Sequence, residues 1–224
     1  MNEAIQFMHD YSDFTDPNHI WVMVGLSRNK DNEPTPSIHN TPERFMRRLV
    51  LISPDDIDTC YRELHLMGNK IGTKYRIYMS LNSRDIIKAT FNFQKKMVDL
   101  GSGLANNHPD ALTMVKKVHS LWKTELAQKH NRGTKRILLD IDDNDEEIAM
   151  GLLSMVQKAT TKVHTFRQTV SGYAISFEAC DTRDLTAYIK TNKIDADMQR
   201  DSLIFVEQWE GTRDEKGLDF SGKS

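Results

Sequence analysis

Cysteine is almost missing from this chain: Cys60 and Cys180 are the only two in 224 residues. They stand far apart, in no CxxC pair and beside no histidine cluster, so neither a disulfide framework nor a thiolate zinc site has the residues it needs. The expected compartment is reducing and cytoplasmic. Long apolar runs are missing as well. None approaches the roughly 20 residues that span a bilayer, and the opening segment MNEAIQFMHDYSDFTD lacks the basic-then-apolar order of a secretory leader. The expectation is a protein that neither enters a membrane nor is secreted. No GxxxxGK[ST], GxSxG or HExxH occurs, which removes the usual sequence support for a P-loop nucleotidase, a serine hydrolase or a zincin.

What is present is ordinary globular material, 38% hydrophobic and 28% charged, enough for one well-buried domain or a domain of two lobes. The net charge of −2 conceals an uneven distribution. Thr41 to Arg136 holds 18 lysines and arginines against 9 acids, whereas Ile137 to the end holds 10 against 17. A basic middle beside an acidic final third suits a polyanion held along one part of the chain while acids in the other bind metal, although solvated helix faces give the same counts.

The pattern predicts strands at IWVMVGL (20–26) and RRLVLIS (47–53), separated by the polar, proline-containing loop NKDNEPTPSIHNTPE. A helix follows from Ser53, with Pro54 at its first position and Gly68 as its stop. KYRIYMSL reads as a strand, and Ser83 as the cap of a helix that ends at Gly101. Pro109 then opens a long helix reaching about His130. In the second half KRILLDI, KVHTFRQT, GYAISFEA and SLIFVEQW read as strands, with helices over 145–159 and 182–192. That order is βαββαβ, the ferredoxin-like pattern. The expected fold is α+β: a lobe over 1–133 carrying basic helices, a ferredoxin-like, RRM-like palm over 134–210, and a frayed tail over 211–224.

Residues 136–147, RILLDIDDNDEE, pose the functional question. An apolar strand runs into Asp140 and then into five carboxylates in the six positions 142–147. Crowded like charges repel unless a cation sits among them. Asp143, Asn144, Asp145, Glu146 and Glu147 fit a helix cap and first turn. Strand alternation places Asp140 and Asp142 together on the face opposite Ile137, Leu139 and Ile141. In a βαββαβ sheet the start of the fourth strand adjoins the end of the first, so Asp201 is the expected third acid, with Asp195 and Asp197 as alternatives if that strand begins earlier. Three such carboxylates suit one or two Mg²⁺ or Mn²⁺ ions and phosphoryl transfer. Tyr173, Ile175 and Phe177 share the other face and read as core beneath the helices.

These pieces together resemble the archaeo-eukaryotic primase superfamily, in particular its small primase-polymerase-like members carried by phages and mobile elements. The resemblance covers about 74–207: YRIYMSLNSRD is similar to an early strand-turn-helix of that group, ILLDID to its hhhDhD metal motif, TVSGYAISF to its sGxHhxf nucleotide motif, and the region of RDSLIFVE to its third-acid motif. It implies a nucleotidyltransferase acting with two divalent metals on nucleoside triphosphates and a single-stranded or template nucleic acid, in the host cytoplasm if phage-encoded, with a helicase or other replication protein as a possible partner. It implies Asp140, Asp142 and Asp201 as catalytic metal ligands, Ser171, Gly172, Tyr173 and Arg167 as a nucleotide pocket, and Arg76, Asn82, Arg84, Lys135 and Arg136 as template or phosphate contacts. One departure stands out. The family's phosphate-contacting histidine is Ala174 here, so Arg167, Lys135 or Arg136 would have to compensate. Alternatives are a non-catalytic nucleotide or single-strand binding module, a nucleotide-cyclising enzyme, or a scaffold for partner binding.

Overall fold

The computed structural model describes residues 2–28, 31, 43–71 and 74–210, with 43–46 and 71 described through their backbone. The proline-containing loop and the tail expected over 211–224 lie outside the described residues. The first lobe comprises α1 (Glu3–Tyr11), β1 (His19–Arg28), β2 (Glu43–Leu51), α2 (Asp56–Ile71), β3 (Lys74–Ser80) and the two-residue β4 (Arg84–Asp85). Helices α3 (Ile86–Ala105), α4 (Ala111–Lys116) and α5 (Val118–Leu126) follow. The second lobe is β5 (Arg136–Ile141), α6 (Glu146–Ala159), β6 (Val163–Gln168), β7 (Tyr173–Glu178), α7 (Arg183–Thr191) and β8 (Ala196–Gln199), after which β9 (Leu203–Glu210) ends the described chain. No helix among the described residues is long and apolar enough to cross a membrane.

The protein is α+β, built on two antiparallel sheets. The second sheet has the order β6-β7-β5-β8, which is the ferredoxin-like arrangement that its βαββαβ chain order demands. Ile137, Leu139, Ile141, Ile175 and Phe177 form its helix-side core with Leu152 and Val156 of α6 and Leu185 of α7, and Tyr173 packs against them. Asp145 caps α6 by accepting from the Glu147 amide at 2.8 Å, and Asp143 accepts from the Asp145 amide at 2.9 Å. Most of the acid run is therefore helix-starting machinery, as its sequence suggests.

The last strand does not go where alternation alone places it. SLIFVEQW was the expected fourth strand of the palm, but β8 takes that position and β9 pairs with β3, completing the order β2-β1-β3-β9 in the first sheet. The ferredoxin-like unit thus closes at Gln199, and 203–210 belongs to the first lobe. The physical reason lies in two apolar faces. Ile204 and Val206 are fully buried in the core beneath α1 and α2, while Leu203 and Phe205 turn toward the palm. A short polar strand such as ADMQ is the better sheet edge.

Two helices depart from expectation for identifiable reasons. Helix α2 continues past Gly68, because that glycine makes room for a side chain: a β-carbon there would lie 1.9 Å from Cε1 of buried Tyr75. Asp85, not Ser83, caps α3, accepting from the Lys88 amide at 3.0 Å, and the helix runs through Gly101. The long helix expected from Pro109 is two, α4 and α5, broken at Lys117. Phe93 of α3 meets Trp122 of α5 edge-on at 5.3 Å. The side chain of Glu125 is fully buried there, ion-paired with Lys96 and hydrogen-bonded to His130 Nε2 at 2.8 Å.

Candidate active-site cleft

The cleft face of the palm carries Leu138 and Asp140 from β5, Asp142 just past its end, and Ala174 from β7. It faces the first sheet across a cavity of about 180 Å³. The opposite wall is Arg28 of β1, Arg76 and Tyr78 of β3, and Leu203 and Phe205 of β9; Thr169 and Ser171 of the β6–β7 hairpin close one side. Asp140 is half-buried and Asp142 exposed, and the Ser171 hydroxyl donates to Asp142 Oδ1 at 3.4 Å. The sequence's pairing of these two aspartates on one face is what the register produces: Asp140 lies opposite Ala174 on one side and opposite Asp197 of β8 on the other. Directly opposed residues share a face. Asp197 is therefore the third carboxylate on this surface, exposed and accepting from Gln199 Nε2 at 3.1 Å. Among the described residues no three His, Cys, Asp or Glu side chains are gathered closely enough to hold a metal ion.

Gly172, directly before β7, lies tight against the end of β5. A β-carbon there would lie 1.9 Å from the Ile141 carbonyl oxygen and 3.0 Å from the Asp143 amide nitrogen. With Thr169 donating its amide to the Gly172 carbonyl at 2.8 Å, the glycine lets the hairpin carry Thr169 and Ser171 against the two aspartates. Tyr173 was expected in the pocket, but it points to the helix side, stacked on Phe166 at 5.6 Å between ring centres. Alternation forbids it and Gly172 from sharing a face.

Asp201, expected beside Asp140 and Asp142, does not line the cleft. The chain leaves the palm at Arg200, and Asp201 forms a two-pronged ion pair with Arg84, Nη2 to Oδ1 at 2.9 Å and Nη1 to Oδ2 at 3.3 Å. Arg84 is buried and also donates to the Gln128 carbonyl at 3.3 Å, so it holds the β8–β9 turn to the helical insert and is closed to a template. Replacing Asp201 with alanine leaves that guanidinium buried without its carboxylate, and the expected loss is about 3 kcal/mol. Asp197→Ala removes an exposed acid from beside Asp140 and is expected to leave stability within about 0.5 kcal/mol of wild type. Urea melts of the two variants check the contrast, and equal stabilities would contradict it.

The other expected nucleic-acid contacts divide in the same way. Asn82 is fully buried; its Oδ1 accepts the Arg136 amide at 2.6 Å and its Nδ2 donates to the Arg200 carbonyl at 3.2 Å. Arg136 is buried, donating to the Tyr11 carbonyl at 3.0 Å with its guanidinium 4.5 Å from the Tyr11 ring centre. Burial raises the Tyr11 pKa and lowers that of adjacent His164. Arg167 donates to the Val206 carbonyl at 2.7 Å and lies 4.1 Å over Phe7, and burial lowers its pKa. These three bolt the palm to α1, β9 and the strand ends, and none lines the cleft. Arg76 does reach the cleft, gripped by Asp31 at 2.6 and 2.7 Å. Lys135 is exposed, at the other end of β5. Arg28, Tyr78, Thr169 and Phe205 complete the cleft without a sequence signal that singled them out.

No protein-family model, curated protein or solved structure matches the chain.

Proposed function

We propose that the cleft is the active site of a primase- or polymerase-like nucleotidyltransferase that joins nucleoside triphosphates on a nucleic-acid strand with Mg²⁺ or Mn²⁺. The observation that carries the reading is the placement of Asp140 and Asp142 on the open face of a βαββαβ sheet, across a small cavity from two arginines and two aromatic rings. The donors that line the cleft, Asp140 and Asp142, are hard oxygen, which suits these ions when substrate phosphates share the coordination. Bound there, they would acidify an attacking hydroxyl and screen charge on the triphosphate. Arg28 supplies a guanidinium on the opposite wall, where Arg76 is already held by Asp31, and the Thr169 and Ser171 hydroxyls supply donors. Tyr78 and Phe205, edge-to-face at 5.9 Å, offer apolar surface to a base or sugar.

A second reading, a binding module without chemistry, is favoured by Ala174, whose methyl group lies on the cleft wall opposite Asp140. Incubation with Mn²⁺, nucleoside triphosphates and a primed single-stranded template separates the two. Metal- and template-dependent extension is the expected result; binding without extension favours the module, and cyclic or short products formed without template favour a cyclising enzyme. Ala174→His is expected to raise extension by on the order of tenfold if a phosphate-contacting donor is what the wild type lacks. An enzyme that gains nothing from histidine has its phosphate contacts elsewhere.

A further inference from the structure

At the end of β5 away from the aspartates lies a second hollow, about 250 Å³, bordered by Arg132, Lys135, Arg136, Cys180 and Arg200. We propose that it is a phosphate site that holds the backbone of the nucleic-acid strand outside the cleft. The pocket contains no carboxylate, so the positive charges of Arg132, Lys135 and Arg200 border it without an internal counter-charge, an arrangement that costs stability unless an anion is drawn in. The positions of those cations are fixed by buried structure. Asn82 holds both the Arg136 amide and the Arg200 carbonyl, Arg132 also donates to the Arg200 carbonyl, and the Ala179 amide donates to the Lys135 carbonyl at 2.8 Å. Arg136 turns its Nη1 to Tyr11, so the side chains presented to solvent are those of Lys135 and Arg200, both exposed and neither ion-paired within the described residues. Nearby Asp181 is already engaged by Arg183 at 2.9 Å.

Fork-shaped guanidinium groups and an ammonium match phosphate oxygens in geometry and charge. The surroundings extend the positive surface: residues 86–136 hold 10 lysines and arginines against 3 acids, the composition of a backbone-tracking region. Along β5, Arg136 and Asp140 are four residues apart, roughly 13 Å, so one strand can touch both ends. The phosphate chemistry stands on the hollow alone; the choice of a strand over a free phosphate rests on the nucleotidyltransferase reading.

The test is fluorescence anisotropy of a labelled single-stranded oligonucleotide, titrated at several salt concentrations with wild type, K135Q/R200Q, and K158Q as a charge control on α6, the helix face of the palm. The double variant is expected to bind on the order of tenfold more weakly, with a salt slope shallower by about 2, while its melting temperature matches wild type because both side chains are exposed. Binding and slope equal to those of K158Q overturn the proposal. If inorganic phosphate stabilises wild type but not the double variant while oligonucleotide binding is unchanged, the hollow takes free phosphate and the strand assignment falls. Failure of the catalytic reading is separately visible: D140N that still extends primers refutes that reading, whereas loss of strand binding in K135Q/R200Q still supports this one.

Discussion

Asp140→Asn is expected to cut Mn²⁺-dependent nucleotide incorporation by on the order of 10³-fold, about 4 kcal/mol of barrier, while the protein melts within about 3 °C of wild type. The two halves of this expectation come from one geometry. Asp140 lies on the central strand of the palm, half-buried on the cleft face, so it can contribute to a cation without closing off the entry of substrate. Asn keeps the shape and one acceptor oxygen but removes the charge that a hard divalent ion requires. Stability is spared because the side chain is no part of the helix-side core, and because Asp197 stands directly opposite; removing one of two facing carboxylates relieves repulsion. Asp197→Asn should cost less, since its side chain is exposed and held by Gln199. Incorporation at the wild-type rate in D140N would take Asp140 out of the mechanism. A variant that unfolds would instead show that the aspartate is structural.

The palm was readable because its signals are local. The run ILLDID alternates over one short strand, Asp145 sits directly before an amphipathic segment, and the β6–β7 hairpin spans only a few residues, so each element declares itself within its own window. The pairing of Asp140 with Asp142 on one face follows from alternation alone. What could not be read was decided by partners remote in sequence. Arg84 and Asp201 are 117 positions apart, and nothing local marks either as half of a buried pair. Arg76 with Asp31, and Arg136 with the Tyr11 carbonyl, are of the same kind. Each of these arginines reads from sequence as a solvated or phosphate-contacting cation, and only burial distinguishes a bolt from a binding residue. The strand ADMQ is too short and polar to announce itself, and by pattern the stronger apolar strand after it takes its place. That single exchange takes Asp201 off the sheet face of Asp140, sets Asp197 opposite Asp140 there, and gives Phe205 and Leu203 to the cleft.

Gly172→Ala is expected to destabilise the protein by roughly 3 kcal/mol, lowering its melting temperature by roughly 6 to 12 °C. The added methyl has no flexible neighbour to displace: it would stand 1.9 Å from the Ile141 carbonyl oxygen and 3.0 Å from both the amide nitrogen and the carbonyl oxygen of Asp143, all backbone atoms. Relief requires the β6–β7 hairpin to part from the end of β5, and that end carries the cleft aspartates. The hairpin's own lock, the Thr169 amide on the Gly172 carbonyl, ties Thr169 and Ser171 to any such movement, so the Ser171 contact with Asp142 is lost together with the strand register. Residual folded G172A should therefore bind nucleotide poorly even where it is fully native by circular dichroism, and low temperature should restore folding without restoring binding. Gly101, by contrast, has nothing within 4 Å of the place a β-carbon would occupy and lies inside α3. Gly101→Ala is the matched control, expected to stabilise by about 1 kcal/mol through helix propensity. Equal melting temperatures for the two alanine variants would mean that the approach of β7 to β5 is looser than its contacts require, and with it the placement of the hairpin beside the carboxylates.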